Sequence, residues 1–381
     1  MNRVDNNLKA LSIDLPRADR RIEKFHLSEP RNFPERTQRK LNRIAFAATH
    51  VVADPQADND PWLDCAIDWD KTIAYREYLW GLGLGVAEAM DTAQRGMGVD
   101  WPTSLELIKR SVAAAKISDG LVFSGSGTDQ LDPAKARNLD DVIRAYEEQI
   151  EAIEAAGGRI VLMASRALAK VARSPDDYAK VYGRVLQGVR EPVIIHWLGD
   201  MFDPALAGYW GSSNLDDAMT TAVEIINEHA AKVDGVKISL LDKDKEIAMR
   251  RRLKQGVLMY TGDDFNYAEL IAGDAKGYSH ALLGIFDVSR RLLPPRWSSS
   301  RSTTLRTSMT FWLRRYRCRD TFFAARPAST KLVSCLWLIS TVTRTILRWL
   351  VGRKARVRAY TLRRYSALPT KPACYATRNL P

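Results

Sequence analysis

The sequence DGVKISLL, at residues 234–241, has the length and the β-branched, apolar composition of one buried β-strand. Similar stretches lie before and after it, as PVIIHWLG at 192–199 and GVLMYTGD at 256–263. The segment between the first two, NLDDAMTTAVEIINEHAAK at 214–232, instead repeats its apolar residues at helical spacing, with Asn214 as the expected N-cap. Strands that alternate with helices predict a parallel sheet with crossover connections.

The same alternation extends along most of the chain. Strand-like stretches occur at residues 43–52, 85–92, 120–127, 159–166, 192–199, 234–241, 256–263 and 278–287. Eight strand and helix units in about 250 residues are typical of a (β/α)8 barrel. A doubly wound sheet would carry GxGxxG after its first strand, whereas HVVADPQADNDP follows here. We therefore predict an α/β fold, a (β/α)8 TIM barrel at residues 41–289, after an N-terminal extension at 1–40.

The last quarter of the chain has a different composition. Residues 290–381 contain 21 of the 57 Lys and Arg residues, but Asp320 alone among the 45 acidic residues, and they show no helical period. Three interpretations stay open for this basic C-terminal tail: a disordered extension, an arm for nucleic acid or a membrane surface, and an out-of-frame segment that is not native-like. The near absence of acidic residues favours the third.

The charge of the main body limits the classes of function. Residues 1–289 hold 36 basic and 44 acidic residues, so the net charge of +12 comes from the tail. An acidic body does not predict a specific nucleic-acid partner. The N-terminus has no apolar signal segment, and the apolar stretch at 332–352 is interrupted by Arg344 and Arg348, so no membrane partner is expected. These features predict a soluble cytoplasmic protein.

Lys237 is the most informative residue of the predicted sixth strand. It lies between Val236 and Ile238 in a segment that a barrel buries, and lysine is rarely buried without a partner or a function. Burial lowers the pKa of an ammonium group and frees the amine as a nucleophile for carbonyl carbons. The alternative is a lysine that is paired with a strand-end carboxylate such as Asp91 or Asp263 and does no chemistry.

Two neighbouring strand ends supply further candidates. His196 follows VII on the fifth strand, where an imidazole can transfer protons near neutral pH. The alternative for His196 is a core histidine that is hydrogen-bonded to a neighbour. TGDDF at 261–265 ends the seventh strand. We expect Asp264 to cap the following helix and Asp263 to face the pocket.

Metal ligands are not arranged in a recognisable motif. The histidines form neither HxH on the first strand nor HExxH, and the four cysteines lack CxxC spacing. No metal and no other cofactor is therefore predicted. A barrel enzyme with a divalent metal on strand-end Asp and His residues, among them His50 and His196, stays an alternative.

The order VDGVKIS (233–239) and then MYTGDD (259–264), after GRIVLMASRALAK and PVIIHWLG, resembles the dihydrodipicolinate synthase and N-acetylneuraminate lyase family of class I aldolase-type barrels. The resemblance covers about residues 43–287, and GVAEAMDTAQRGMGVDWP (85–102) is most similar to the DUF993 branch. In that family the lysine that forms a Schiff base lies on the sixth strand after Gly and Ile or Val. The resemblance therefore implies this role for Lys237.

The chain also departs from the family at two places. The family loop after the second strand, GTTGE-like, binds the carboxylate of a keto acid, and here Thr92, Gln94 and Arg95 stand in that loop. The family tyrosine that relays protons at the end of the fifth strand is replaced by His196. Because of these two differences, the resemblance does not predict pyruvate as the substrate.

The first hypothesis for function is an aldolase-type lyase, with a Schiff base between Lys237 and a keto-acid or sugar-derived carbonyl substrate. The catalytic residues are Lys237 and His196. The expected substrate-binding residues are Asp91, Thr92, Gln94, Arg95, Ser124, Ser126, Ser239 and Asp263. The iminium serves as the electron sink, so this chemistry requires no cofactor. A homo-oligomer is implied by the family, and the alternatives are the metal-dependent barrel and a non-functional product of a degraded gene.

Overall fold

The computed structural model describes residues 12–16, 21–26, 41–60, 64–92 and 94–289. Near the N-terminus, β1 (Ser12–Pro16) pairs antiparallel with β2 (Ile22–His26). The basic tail expected at 290–381 lies outside the described residues, as does most of the N-terminal extension. In the part of the chain that is described, no helix combines the length and the hydrophobicity of a membrane span.

Eight parallel strands follow in chain order and close into a barrel, in which the last strand pairs with the first. They are β3 (Ala45–Ala48), β4 (Gly85–Glu88), β5 (Val122–Ser126), β6 (Arg159–Met163), β7 (Val193–Leu198), β8 (Val233–Ser239), β9 (Leu258–Thr261) and β10 (His280–Leu283). The predicted (β/α)8 barrel is confirmed, and each predicted stretch contains one strand. The eighth stretch is shorter than expected, because the chain turns after Leu283 and begins a helix at Phe286.

Helices connect these strands. They are α1 (Trp69–Gly81), α2 (Trp101–Ser118), α3 (Leu139–Ala155), α4 (Arg166–Val171), α5 (Pro175–Gly188), α6 (Leu215–Glu228), α7 (Lys243–Arg250), α8 (Tyr267–Ala272) and α9 (Phe286–Ser289). The side chain of Asn214 accepts a hydrogen bond from the backbone N–H of Asp216, so the N-cap expected for α6 is confirmed. Parallel strands require such crossovers, and the helices cover the apolar outer face of the barrel.

Alternation along each strand divides the core into two parts. On β8, Val236 and Ile238 pack outward into the large cluster between barrel and helices, which leaves Lys237 on the inner side. On β5, Phe123 belongs instead to the smaller cluster inside the barrel. Register partners on neighbouring parallel strands point their side chains to the same face of the sheet. The directions of these few side chains therefore indicate the directions of their partners on the other strands.

Aromatic rings fill the interior towards the amino-terminal ends of the strands. The ring of Phe46 lies 5.4 Å from that of Phe123 and 5.8 Å from that of Tyr260, both in edge-on geometry. The Tyr260 hydroxyl donates to Asp234 at the start of β8, at 2.7 Å. Gly85 makes room for this packing, because a Cβ there would lie 2.5 Å from the Phe46 ring. The interior is therefore closed at this end.

Candidate active site

Lys237 and His196 lie side by side inside the barrel. They are register partners on the neighbouring strands β8 and β7, and both are buried. The inward side of β7 is set by Ile194, which belongs to the inner cluster, whereas Ile195 and Trp197 pack outward against helices. Two residues with acid–base chemistry therefore adjoin each other near the carboxyl ends of their strands, where (β/α)8 enzymes place their active sites.

Asp91 reaches across the barrel mouth to this pair. It follows β4, yet its Oδ2 lies 3.0 Å from Nδ1 of His196 on β7. Within the described residues neither of these two atoms has a hydrogen-bond partner of good geometry. They are therefore close enough for an ion pair but are not aligned for a hydrogen bond. On the other side of the ring, Nε2 of His196 lies 3.2 Å from Oγ of Ser239. The imidazole is thereby held between a carboxylate and a hydroxyl.

Burial dominates the charge state of these groups. It lowers the pKa of Lys237, and the attraction of Asp91 and Asp264 only partly offsets this effect. Burial also lowers the pKa of His196, against the attraction of Asp91. Burial alone would raise the pKa of Asp91, but His196 and Lys237 together hold it below its usual range. The site therefore combines an ionised carboxylate with two nitrogen bases that lose their protons more easily than usual.

The Lys237 amine has no directly paired carboxylate in the part of the chain that the structure describes. Among the described residues it forms no ion pair, and Asp91 and Asp264 act on it only by longer-range attraction. Gly262 brings the backbone close to its side chain, since a Cβ at this glycine would lie 3.0 Å from Cε of Lys237 and 2.7 Å from the carbonyl oxygen of Ile238. The space around the lysine is therefore kept by a residue without a side chain.

The two aspartates after β9 have exchanged the places expected for them. The Asp263 carboxylate accepts hydrogen bonds from the backbone N–H groups of Phe265 and Asn266 and from the Asn266 side chain, at 2.8–2.9 Å. Asp263 therefore fixes the turn before α8, and the expectation that it faces the pocket is wrong. Asp264 is the residue that is coupled to Lys237, and burial raises its pKa to about 6. The turn geometry that decides this cannot be seen in the letters TGDDF.

In the loop after β4, Gln94 serves the loop itself. Its amide group bonds the backbone N–H of Met90, the carbonyl oxygen of Thr49 and the carboxylate of Glu88. Gln94 is fully buried and both N–H groups of its amide are used within the protein, so the structure does not support the predicted binding role. Thr92 is partly exposed beside Asp91, whose side chain accepts from its backbone N–H.

Arg95 lies in the same loop with its guanidinium mostly engaged. It donates to Asp129 at 2.6 Å, to Gln149 at 2.7 Å and to the carbonyl oxygen of Gly125. Its Nε is buried and has no hydrogen-bond partner within the described residues. Burial lowers the pKa of Arg95, while Asp129 and Asp91 attract its charge. The positive charge therefore stands next to the barrel mouth but is largely shared with protein groups.

Ser124 and Ser126 lie on β5 and face outward. Their register partners Ile160 and Leu162 pack against the helices, and Phe123 between barrel strands points inward. Both hydroxyls are buried without a hydrogen bond among the described residues. This direction does not support the prediction that Ser124 and Ser126 bind the substrate, because side chains alternate along the strand and Phe123 occupies the inner side.

Asp264, Gly262 and the support of Asp91 were missed by sequence reasoning. Buried Arg76 donates to both oxygens of Glu88 at 2.9 Å, and Ser111 donates to the same carboxylate. The buried pair of Arg76 and Glu88 thereby stabilises the start of the loop that carries Asp91. A signal for Asp264 exists in the doubled aspartate, but only the turn shows which one faces the lysine.

Neither a cluster of metal ligands nor the cavity described below coincides with the candidate site in the described part of the chain. Among the described residues, no three His, Cys, Asp or Glu side chains come together as metal ligands, so the metal-dependent alternative has no ligand set there. A cavity of about 450 Å³ lies at the amino-terminal ends of β7, β8 and β9. It is lined by Pro192, Ala230, Ala231, Val233, Asp234, Gln255, Gly256 and Leu258. None of the candidate site residues contributes to it.

The fold and the site define a (β/α)8 barrel with a buried lysine on its sixth barrel strand. The chain belongs to the family described as "Protein of unknown function (DUF993)", which matches residues 13–292. The branch expected from the sequence is thereby confirmed. No curated protein matches the sequence.

Solved structures of dihydrodipicolinate synthases share this architecture. A putative dihydrodipicolinate synthetase from Pseudomonas aeruginosa has a TM-score of 0.52 and 14% identity, over 74% of this chain and 84% of its own. The enzyme from Aquifex aeolicus has a TM-score of 0.48 and 12% identity, over 81% of this chain and 88% of its own. The fold expected from the resemblance to the dihydrodipicolinate synthase and N-acetylneuraminate lyase family is confirmed by the Pseudomonas aeruginosa structure.

Proposed function

We propose that the protein is an aldolase-type lyase that forms a Schiff base between Lys237 and a small carbonyl substrate, a keto acid or a sugar-derived compound. The observation that carries this proposal is the lysine itself. It is buried inside the barrel, forms no ion pair among the described residues, and has a lowered pKa. Such an amine is partly neutral and can attack a carbonyl carbon. The shared fold of the dihydrodipicolinate synthases supports the same reaction class.

His196 is the proton-transfer residue in this proposal. Its lowered pKa leaves the ring neutral near pH 7, so that it can accept a proton from the substrate and return it. Asp91, 3.0 Å from Nδ1, orients the ring and stabilises the imidazolium when it forms. Ser239, whose Oγ lies 3.2 Å from Nε2, is the hydroxyl partner of this ring nitrogen.

The polar end of the substrate is assigned to fewer residues than the sequence suggested. Thr92 and Ser239 keep hydroxyl groups at the barrel mouth, and the charge of Arg95 favours an anionic group there. The iminium takes up the electrons of the cleaved carbon–carbon bond, so the proposed reaction uses no metal and no other cofactor.

Covalent trapping tests this proposal. The protein is incubated with a panel of 2-keto acids and aldoses, treated with borohydride and analysed by peptide mass spectrometry. We expect the substrate mass on the peptide that contains Lys237 and none in Lys237→Ala or Lys237→Arg, because a guanidinium keeps its proton. Lys232→Ala is the matched control, since this partly buried lysine instead donates to the carbonyl oxygen of Val189.

The result also separates the alternatives. An adduct that persists in Lys237→Ala would contradict the assignment of the nucleophile. A wild-type protein that is folded but traps no member of the panel would contradict the proposed chemistry and favour the non-functional alternative.

A further inference from the structure

We propose that Asp264 is the acid–base residue of imine formation at Lys237, and that its carboxyl group supplies the proton with which the carbinolamine hydroxyl leaves as water. This inference rests on the proposed function. It assigns a role to a residue that neither the barrel resemblance nor the proton transfer by His196 requires.

The turn after β9 determines where Asp264 lies. Gly262 brings the backbone against Cε of Lys237, and Asp263 fixes the following residues by three hydrogen bonds. Asp264 stands between these two anchors. Its Oδ1 is shielded from solvent and has no hydrogen-bond partner within the described residues, although the residue as a whole is partly exposed. The carboxylate accepts a hydrogen bond from the backbone N–H of Ile285 and attracts Lys237 electrostatically, so one buried oxygen is left unpaired while the residue stays in contact with solvent.

The charged groups at this end of the barrel come from three segments besides β8. Asp91 and Arg95 stand in the loop after β4, His196 on β7, and Asp263 and Asp264 after β9. Two carboxylates attract the lysine, and their environments push their pKa values apart. Asp91 is held ionised, whereas burial raises the pKa of Asp264 to about 6, with Asp263 adding repulsion and Lys237 opposing the shift. Near pH 6 Asp264 is the one of these two carboxyl groups that still carries a proton in part of the population.

The step balances in atoms and charge. The neutral Lys237 amine attacks the carbonyl carbon, and proton transfer from nitrogen to oxygen gives a neutral carbinolamine. The Asp264 carboxyl then protonates the hydroxyl, the carbon–oxygen bond breaks, and water leaves. The products are a cationic iminium and the Asp264 carboxylate, which stabilises it by attraction. Hydrolysis of the imine runs through the same groups in reverse.

Reductive methylation measures this step without any assumption about the substrate. Formaldehyde, the smallest carbonyl compound, is supplied with cyanoborohydride between pH 5 and 9, and the rate of methylation at Lys237 is followed by peptide mass spectrometry. Lys232 in the same protein is the internal reference. The variants are Asp264→Asn, Asp264→Glu and Glu246→Gln, whose folding is checked by circular dichroism.

We expect Lys237 in the wild type to react faster than Lys232, with a rate that declines as Asp264 loses its proton above about pH 6. Asp264→Asn should lower the rate near pH 6 by roughly 100-fold and remove this decline. It should also move the acid-side fall to lower pH, because loss of the carboxylate lowers the Lys237 pKa. In Asp264→Asn, more of the Lys237 amine would be neutral and yet the imine would form more slowly. A purely structural role of Asp264 would not give this combination. Asp264→Glu should restore part of the rate.

Glu246 provides the matched control. It is a buried carboxyl group with a pKa raised to about 7, but it bonds Ser279 at 2.7 Å on the helix side of the barrel. We expect Glu246→Gln to keep the wild-type rate and pH profile. A wild-type rate and profile in Asp264→Asn would overturn the inference alone, as would an equal change in Glu246→Gln. A wild-type Lys237 that reacts no faster than Lys232 would overturn the proposed function as well.

Discussion

At the amino-terminal end the barrel interior is filled by the rings of Phe46, Phe123 and Tyr260, whereas at the carboxyl-terminal end it holds Lys237 and His196. Both ends are built by the same eight strands and the same alternation of side chains. The two ends differ in how far their buried polar atoms are hydrogen-bonded.

At the amino-terminal end the Asp234 carboxylate is paired, although Nε of Arg159 is buried without a hydrogen bond among the described residues. The Tyr260 hydroxyl donates to Asp234, and Arg159 contacts the same carboxylate at 3.3 Å. At the other end, Oδ1 of Asp264 and Oδ2 of Asp91 are buried without a hydrogen bond among the described residues. Buried polar groups without a hydrogen-bond partner lower the free energy of unfolding. They are retained where the chemistry of a site requires them. The comparison therefore assigns stability to one end and reaction to the other.

The largest expected difference between the ends is one of stability. Phe46→Ala removes the ring at the centre of the aromatic cluster and should lower the free energy of unfolding by about 3–5 kcal/mol. Lys237→Met removes a buried charge at similar volume and should not lower it. Because the pKa of Lys237 is lowered by folding, the gain from Lys237→Met should be largest at low pH. Urea denaturation checks both variants, and equal losses would contradict the comparison.

A smaller effect is expected from Asp264→Asn, and it depends on pH. Folding raises the pKa of Asp264 from 3.8 to about 6, so this group stabilises the folded state below pH 3.8 and loses that contribution as the pH rises through 6. Asparagine does not ionise, so the variant should be more stable than the wild type by about 3 kcal/mol at pH 8. Denaturation at pH 4 and pH 8 measures the difference, and a difference that does not change with pH would contradict this account.

Gly85→Ala tests the close packing of the aromatic end. The added Cβ meets the Phe46 ring, and the overpacking should lower the free energy of unfolding by about 1–3 kcal/mol. Gly81→Ala is the control, because nothing lies within 4 Å of its Cβ position and it ends α1. That variant should gain about 0.5 kcal/mol. Thermal melts of the two proteins should move in opposite directions, and the packing argument fails if they move together.

The smallest effect separates the two sides of the strands at the reactive end. Ser239→Ala removes the hydroxyl 3.2 Å from His196 and should slow trapping at Lys237 severalfold. Ser124→Ala changes an outward residue and should leave the trapping rate unchanged. A larger effect from Ser124→Ala than from Ser239→Ala would show that the assigned side-chain directions are wrong.

The fold was predictable because every strand carries its own signal. The alternating apolar stretches define eight units, and the placement of Lys237 follows from Val236 and Ile238 on either side. Residues that depend on direction were harder to place. Nothing in GLVFSGSG shows that Phe123 rather than Ser124 turns inward, since both are acceptable on either side until the neighbouring strands are in register.

Loop residues were the least predictable part of the site. Gln94 has the chemistry of a ligand-binding residue, yet in the folded loop its amide oxygen and both amide N–H groups form hydrogen bonds within the protein. Asp263 and Asp264 are identical in sequence chemistry, and only the hydrogen bonds of Phe265 and Asn266 decide which one faces Lys237. Turn geometry is set by contacts made after folding, which a single sequence does not contain.

The most direct measurement is the pKa of the Lys237 amine in the folded protein. Nuclear magnetic resonance of ¹⁵N-labelled lysine side chains, titrated in the wild type and assigned with Lys237→Met, gives this value beside that of Lys232. The account predicts a Lys237 pKa clearly below the usual 10.5, because burial in the barrel outweighs the attraction of Asp91 and Asp264. A Lys237 pKa at or above 10.5 would mean a permanently charged lysine, and it would contradict the reactive end described here.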